Sequence, residues 1–128
     1  MAVAAMLAPM GCSVGADKEP KPVAGVPKAI VQTVDRFERA VARRDYEIIC
    51  NELFTATARE RAGGDECVTQ TRTAAEGLRR PSIEITGIEV KRDRASVEVA
   101  TKAEGQARVI DTLELRLIGD RWLVEALR

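Results

Sequence analysis

The first half of the chain repeats apolar residues every three or four positions, which is the spacing of an amphipathic helix. A first helix is predicted from Pro27, a residue suited to the first helical turn, to Arg44. Its apolar face comprises Ile30, Val34, Phe37 and Val41. The face predicted to turn toward water comprises Asp35, Arg36, Glu38 and Arg39.

Two shorter helices are predicted to follow. Asp45 can cap a second helix, whose inner face comprises Tyr46, Ile49, Cys50 and Leu53. The segment TATARERAGG predicts a loose helical turn that ends at Gly63 and Gly64, because glycine tolerates the left-handed conformation of a helix end. Asp65 is then expected to cap a third helix, which Pro81 prevents from extending further. The inner side of this third helix comprises Cys67, Thr71, Ala74, Ala75 and Leu78.

After Ser82 the apolar residues recur at every second position, which is typical of β-strands. The segment IEITGIEV slips by one residue at Gly87 and so predicts a bulge. ASVEVATKA predicts a second strand, residues 107–118 a third, and a Gly-Asp turn at 119–120 leads into RWLVEAL. The pattern therefore predicts an α+β fold, with three N-terminal helices packed in the concavity of a curved four-stranded antiparallel sheet.

This order of elements resembles the nuclear transport factor 2-like superfamily, a cone-shaped α+β barrel. The resemblance is carried by the helix restart in AVARRDYEIIC, by the four-stranded meander and by the closing LRLIGDRWLVEAL. It covers residues 27–128, nearly the whole predicted domain. Such domains serve as enzymes, ligand carriers, dimerisation modules and exported accessory proteins, so the resemblance implies a fold and leaves the activity open.

The N-terminal segment carries a second resemblance. Bacterial lipoprotein signals end in an apolar and small-residue box that closes on an obligatory, lipidated Cys. MAVAAMLAPMGCS resembles that box at four positions and differs from it at Pro9. The four positions are Leu7, Ala8, Gly11 and Cys12. The resemblance implies that residues 1–11 are a signal segment, incomplete at its start because no basic residue precedes the apolar run, and that Cys12 carries the lipid.

Residues 12–26 are rich in Pro, Gly, Ala and charge, which predicts a flexible tether between Cys12 and the domain at 27–128. We therefore expect a protein at the cell membrane, lipid-anchored on the extracytoplasmic face, with the membrane as one partner. The alternative is a cytosolic protein with a disordered leader in which Cys12 is incidental.

Two further cysteines belong to the predicted domain. In small exported actinobacterial members of the superfamily, a Cys in a D-Y/F-x-x-x-C motif pairs with a second Cys just past a Gly-rich turn. The similar arrangement here, DYEIIC followed by GGDEC, implies a disulfide between Cys50 and Cys67 in an oxidising compartment. The alternative is two independent buried thiols. With that pair formed, Cys12 is the odd cysteine, which lipidation would use.

Composition narrows the possible functions. A chain of 128 residues suffices for one compact domain. Its 20 Lys and Arg balance its 20 Asp and Glu, so we expect no nucleic-acid partner. Histidine is absent, which removes the usual general base and the commonest metal ligand, and two neighbouring cysteines fall short of a zinc site. We expect neither a metal nor a cofactor.

The predicted cone leaves room for an apolar ligand pocket that contains one acid. The expected lining comprises Phe37, Val41, Val97, Val99, Val109, Asp111, Leu113 and Leu115. A buried Asp111 could act as a general acid or base; the alternative is a solvated Asp111 paired with Arg108 or Lys102. Carbon-to-carbon proton transfer also requires oxyanion stabilisation, and Tyr46, the only tyrosine, is assigned to the core.

These observations favour an exported, lipid-anchored envelope protein without catalysis, acting as a binding domain for a hydrophobic small molecule or as an accessory domain. The first alternative is a small lyase or isomerase of the ketosteroid isomerase-like type that uses Asp111 in an apolar pocket. The second is a homodimer formed through the convex face of the sheet. The charged residues predicted on that face, which favour a polar interface at most, are Glu98, Lys102, Glu114 and Arg116.

Overall fold

The computed structural model describes residues 25–128. The predicted signal segment, Cys12 and the tether up to residue 24 lie outside the described residues. Among the helices in the described part of the chain, none combines the length and the apolar composition needed to cross a bilayer.

The first helix, α1, spans Val26–Arg43 and carries Pro27 in its first turn. It ends at Arg44, which adopts the left-handed conformation (φ 60°). A short helix α2, Tyr46–Ile48, follows, and the carboxylate of Asp45 caps it by accepting a hydrogen bond from the backbone N–H of Ile48. The chain then continues as a π-helical turn, Ile49–Leu53. The wider turn keeps Ile49, Cys50 and Leu53 buried together.

Two more helices complete the helical half. The loose turn predicted in TATARERAGG is a helix, α3 (Ala56–Arg61), capped by the Thr55 hydroxyl. Gly63 is left-handed (φ 113°), as a helix end requires. A 3-10 turn, Gly64–Glu66, leads directly into α4 (Cys67–Ala75).

The prediction from the sequence was wrong at both ends of α4. Asp65 was predicted to cap it, but Asp65 lies inside the 3-10 turn, and Glu66 at the N-cap position makes no side-chain capping bond. The 3-10 turn runs on into the helix, and the carbonyl of Gly64 accepts the N–H of Cys67, so no side-chain cap is needed there. Leu78 lies beyond the end of α4, because the chain turns away before Gly77 (φ 94°).

The second half is one antiparallel sheet in the order β1-β2-β3-β4, which confirms the predicted meander. Its strands are β1 (Ser82–Lys91), β2 (Arg94–Lys102), β3 (Val109–Ile118) and β4 (Arg121–Leu127). The predicted bulge lies between Ile85 and Gly87, and a second irregularity lies between Glu114 and Leu115. Bulges bend a sheet, and the helices pack in the concavity that results. The predicted α+β class is confirmed.

The core forms where α1 enters the concavity. Ile30 and Val34 on α1 are at most 1% exposed and form one cluster with buried residues of the sheet. The buried strand residues of this main core are Ala95, Val97, Val99, Leu113, Leu115, Trp122 and Val124. The Thr33 hydroxyl donates to the carbonyl of Trp122 at 2.8 Å, which fixes α1 against β4. The first half of α1 therefore fills one end of the cone.

A second, smaller cluster lies beyond the main core. Its buried members are Ala40, Tyr46, Ile49 and Leu53. A disulfide between Cys50 and Cys67 borders it and joins the π-helical turn to α4, as the resemblance implied. The two cysteines are 17 residues apart in sequence, and closing a loop of this size contributes about 3 kcal/mol in the chain-entropy estimate.

Candidate functional site

A cavity of about 490 Å³ opens between the helices and one end of the sheet. It lies where β1 and β3 begin and where β2 and β4 end, next to the second half of α1 and to α4. Its volume falls within the range of small-molecule binding sites. It is the part of the concavity that the first half of α1 does not fill.

The walls of the cavity are mostly apolar. Phe37 and Val41 continue the apolar stripe of α1 past Val34. Phe37 packs at the edge of both clusters and Val41 at the edge of the second, and both residues also line the cavity. The Phe37 ring stacks against Phe54 with centroids 6.4 Å apart and closes one side. The other apolar side chains of the lining are Tyr46, Ile49, Ala62, Ala74, Ala75, Leu78, Pro81, Ile83, Ala103, Ala107, Val109 and Leu127.

Two carboxylates and a hydroxyl line the cavity where α1 meets the sheet. Asp111 is half-buried, and its carboxylate accepts a hydrogen bond from the Thr101 hydroxyl at 3.4 Å. The carboxylate of Glu38 accepts the backbone N–H of Ile83, which ties α1 to β1. Ile83 is the register partner of Thr101. The two carboxylates and the hydroxyl therefore lie near one another in a largely apolar cavity, where they can orient a polar group of a ligand. On the α4 side, Gln70 and Thr71 also line the cavity.

The structure divides the predicted pocket residues into two groups. Phe37, Val41, Val109 and Asp111 line the cavity. The other four were predicted to line it but belong to the main core, because Ile30 and Val34 of α1 cover them. These corrected residues, each at most 2% exposed, are Val97, Val99, Leu113 and Leu115.

The alternative to a buried acid was a solvated Asp111 paired with Arg108 or Lys102, and the described ion pairs contain neither pair. Arg108 pairs with Glu84, with nitrogen and oxygen 3.5 Å apart. Lys102 lies at the rim of the cavity and is exposed. Among the described ion pairs, none includes Asp111.

Sequence reasoning missed most of the lining, and three of the missed residues are instructive. Glu38 was predicted to face water, but it lies four residues after Val34 and three before Val41, so it borders the same stripe. Thr101 shares the inner face of β2, and strict alternation from Val99 would have found it. Tyr46 is 6% exposed, as expected of a core residue, yet it also lines the cavity.

Other candidate sites are weaker. A depression of about 210 Å³ on the sheet is lined by charges that balance one another. These charged residues are Glu89, Lys91, Arg94, Glu114, Arg116 and Glu125. Within residues 25–128, no cluster of three or more His, Cys, Asp or Glu residues is placed to hold a metal ion.

No protein-family model and no curated protein matches this sequence. Solved structures do match. An NTF-2 like protein of unknown function from Silicibacter pomeroyi is 20% identical with a TM-score of 0.60, over 78% of this chain and 90% of that chain. One from Shewanella baltica is 16% identical with a TM-score of 0.59, over 83% and 94%. A de novo designed NTF2 fold protein is 14% identical with a TM-score of 0.56, over 81% and 87%.

These likenesses show that the chain has the NTF2-like fold, which the sequence resemblance implied. They show the fold alone, since two natural proteins of unknown function and a designed one match it about equally well.

Proposed function

We propose that this domain binds a hydrophobic small molecule in the cavity between α1, α4 and the sheet, without catalysing a reaction. The observation that carries the proposal is the lining: a largely apolar surface around about 490 Å³ that also presents the carboxylates of Glu38 and Asp111. Ligand-binding sites in proteins combine these features.

The energetics favour an amphiphilic ligand. Each 100 Å² of apolar ligand surface removed from water contributes about 2.5 kcal/mol, before the cost of association is subtracted. Asp111 and Glu38 accept hydrogen bonds, so a ligand with a hydroxyl or amine at one end could satisfy them. The apolar body would then lie against Phe37, Val41 and the wall formed by α4.

We further propose that the protein acts outside the cytoplasm, on the extracytoplasmic face of the cell membrane, where Cys12 carries a lipid anchor. The disulfide between Cys50 and Cys67 supports export, because disulfides persist in oxidising compartments. The lipoprotein-like LAPMGCS segment supports the anchor. In this proposal residues 1–11 are removed and 12–26 tether the domain at 27–128.

Binding is tested by filling the cavity. Ala74 lines the cavity from α4, so Ala74→Phe should occupy ligand space, whereas Ala56→Phe adds the same group at an exposed position outside the lining. We expect Ala74→Phe to weaken binding of the fluorescent apolar probe N-phenyl-1-naphthylamine by about tenfold or more, a change of about 1.4 kcal/mol. Ala56→Phe should bind like the wild type. Equal affinities in all three proteins would contradict the proposed site.

The alternative, a lyase or isomerase based on Asp111, draws support from the position of that carboxylate in the cavity. Asp111→Asn separates the two functions, because the amide can still hydrogen-bond but cannot accept a proton. A binding protein should show a modest change in probe affinity and no turnover of enolisable or dehydratable compounds in either form. A wild-type turnover that falls by about a hundredfold or more in Asp111→Asn would establish the enzyme instead.

Membrane attachment is tested at Cys12. Expressed in a native host from its full reading frame, Cys12→Ser should leave the membrane fraction, because the acylated sulfur is lost. Mass spectrometry of the wild type should show acyl chains on Cys12. A Cys12→Ser protein that stays with the membrane, together with an unacylated wild type, would exclude the anchor.

A further inference from the structure

The cavity wall formed by α4 has little packing of its own. Four residues of this nine-residue helix line the cavity: Gln70, Thr71, Ala74 and Ala75. Yet Cys67 is the only fully buried residue of α4, and the others are half-buried or exposed. An isolated helix of this length is not stable in water, so contacts from outside must hold α4 in place.

Few non-covalent contacts do so. Val68 and Ala75 pack at the edge of the second cluster, and the Arg72 guanidinium lies 5.8 Å from the centre of the Tyr46 ring. In the part of the chain that the structure describes, no ion pair includes a residue of α4. Beyond the helix, the Glu104 N–H donates to the Arg79 carbonyl at 2.7 Å. The non-covalent attachment of α4 is therefore slight for an element that closes a cavity.

The disulfide lies directly behind this wall. Cys67 is the first residue of α4, and Cys50 follows Ile49, which also lines the cavity. The Thr71 hydroxyl is 3.7 Å from each sulfur, and Thr71 itself faces the cavity. One covalent bond thus anchors the helix at the point where it joins the buried π-helical turn.

We propose that the Cys50–Cys67 bond is the determinant that completes the ligand site. In the dithiol form α4 separates from the domain and the cavity opens to solvent, while the main core around α1 stays folded. The chain therefore becomes competent to bind its hydrophobic ligand only after oxidation. The binding part of this inference rests on the proposed function; the attachment of α4 does not.

The oxidation step balances with a partner disulfide. The two thiols form one S–S bond and give two electrons and two protons to an oxidised protein disulfide, which becomes a dithiol. In the folded product Cys50 and Cys67 are 1% and 0% exposed, so an attacking thiolate cannot reach either sulfur. Once formed at export, the disulfide is therefore not reduced again. The reduced precursor does not take up ligand before it reaches its compartment.

The experiment compares the oxidised full chain with Cys50→Ala/Cys67→Ala by amide hydrogen exchange and by binding of N-phenyl-1-naphthylamine. We expect exchange in residues 68–75 to rise by about tenfold or more in the variant, with β2 amides at residues 97–99 still protected. Probe affinity should fall by about tenfold or more. Ile30→Ala, which weakens the main core but keeps the disulfide, should leave α4 attached and probe binding close to that of the wild type.

Several results would overturn the inference. One is a double variant that keeps both the protection of α4 and the probe affinity. Another is an equal loss of α4 protection in Ile30→Ala, since general instability would then explain the effect. If the alanine variant also loses β2 protection, Cys50→Val/Cys67→Val, which fills the vacated space, provides the comparison. If the oxidised wild type binds no probe, the proposed function fails, and hydrogen exchange still decides whether the disulfide holds α4.

Discussion

The apolar stripe of α1 is longer than the core that it helps to form, and the remaining architecture depends on this mismatch. Ile30 and Val34 fill the sheet concavity at one end, and the Thr33 hydroxyl fixes the helix to β4. One turn later, Phe37 and Val41 are only partly buried, at the edges of the two clusters, and they line the cavity. A packed core and an apolar cavity therefore share one helix and one sheet face, and the change occurs within a single helical turn.

The helices after α1 close the cavity beside Phe37 and Val41. The π-helical turn buries Ile49, Cys50 and Leu53, and so provides a firm base beside the cavity. The last helix, α4, covers the cavity from that base, although its own sequence offers little apolar surface for packing. The disulfide replaces the missing packing. Because the π-helical turn and the disulfide support the cavity wall, a chain with only four aromatic residues can hold an apolar cavity open to a ligand.

The periodicity of the sequence was sufficient to predict α1 and the four strands. The period of α1, the slip at Gly87 and the Gly-Asp turn each reflect local backbone geometry, which neighbouring residues determine. The site was only partly predictable. Alternation along β3 places Val109, Asp111, Leu113 and Leu115 on the same face, but it does not reveal that α1 covers only the last two. That distinction depends on where a distant helix lies. The 3-10 turn that leads into α4 was also missed, and no side-chain cap marks it.

The central claim, that this cavity holds a hydrophobic molecule, can be tested most directly by native mass spectrometry of the oxidised protein purified from a cell envelope without denaturation. We expect a population whose mass exceeds that of the ligand-free protein by one non-covalently bound organic molecule. Adding N-phenyl-1-naphthylamine should displace that molecule, because both occupy the space beside Phe37 and Asp111. A protein that carries no such adduct, takes up no lipid from an envelope extract and gives no bound-probe species would contradict the claim.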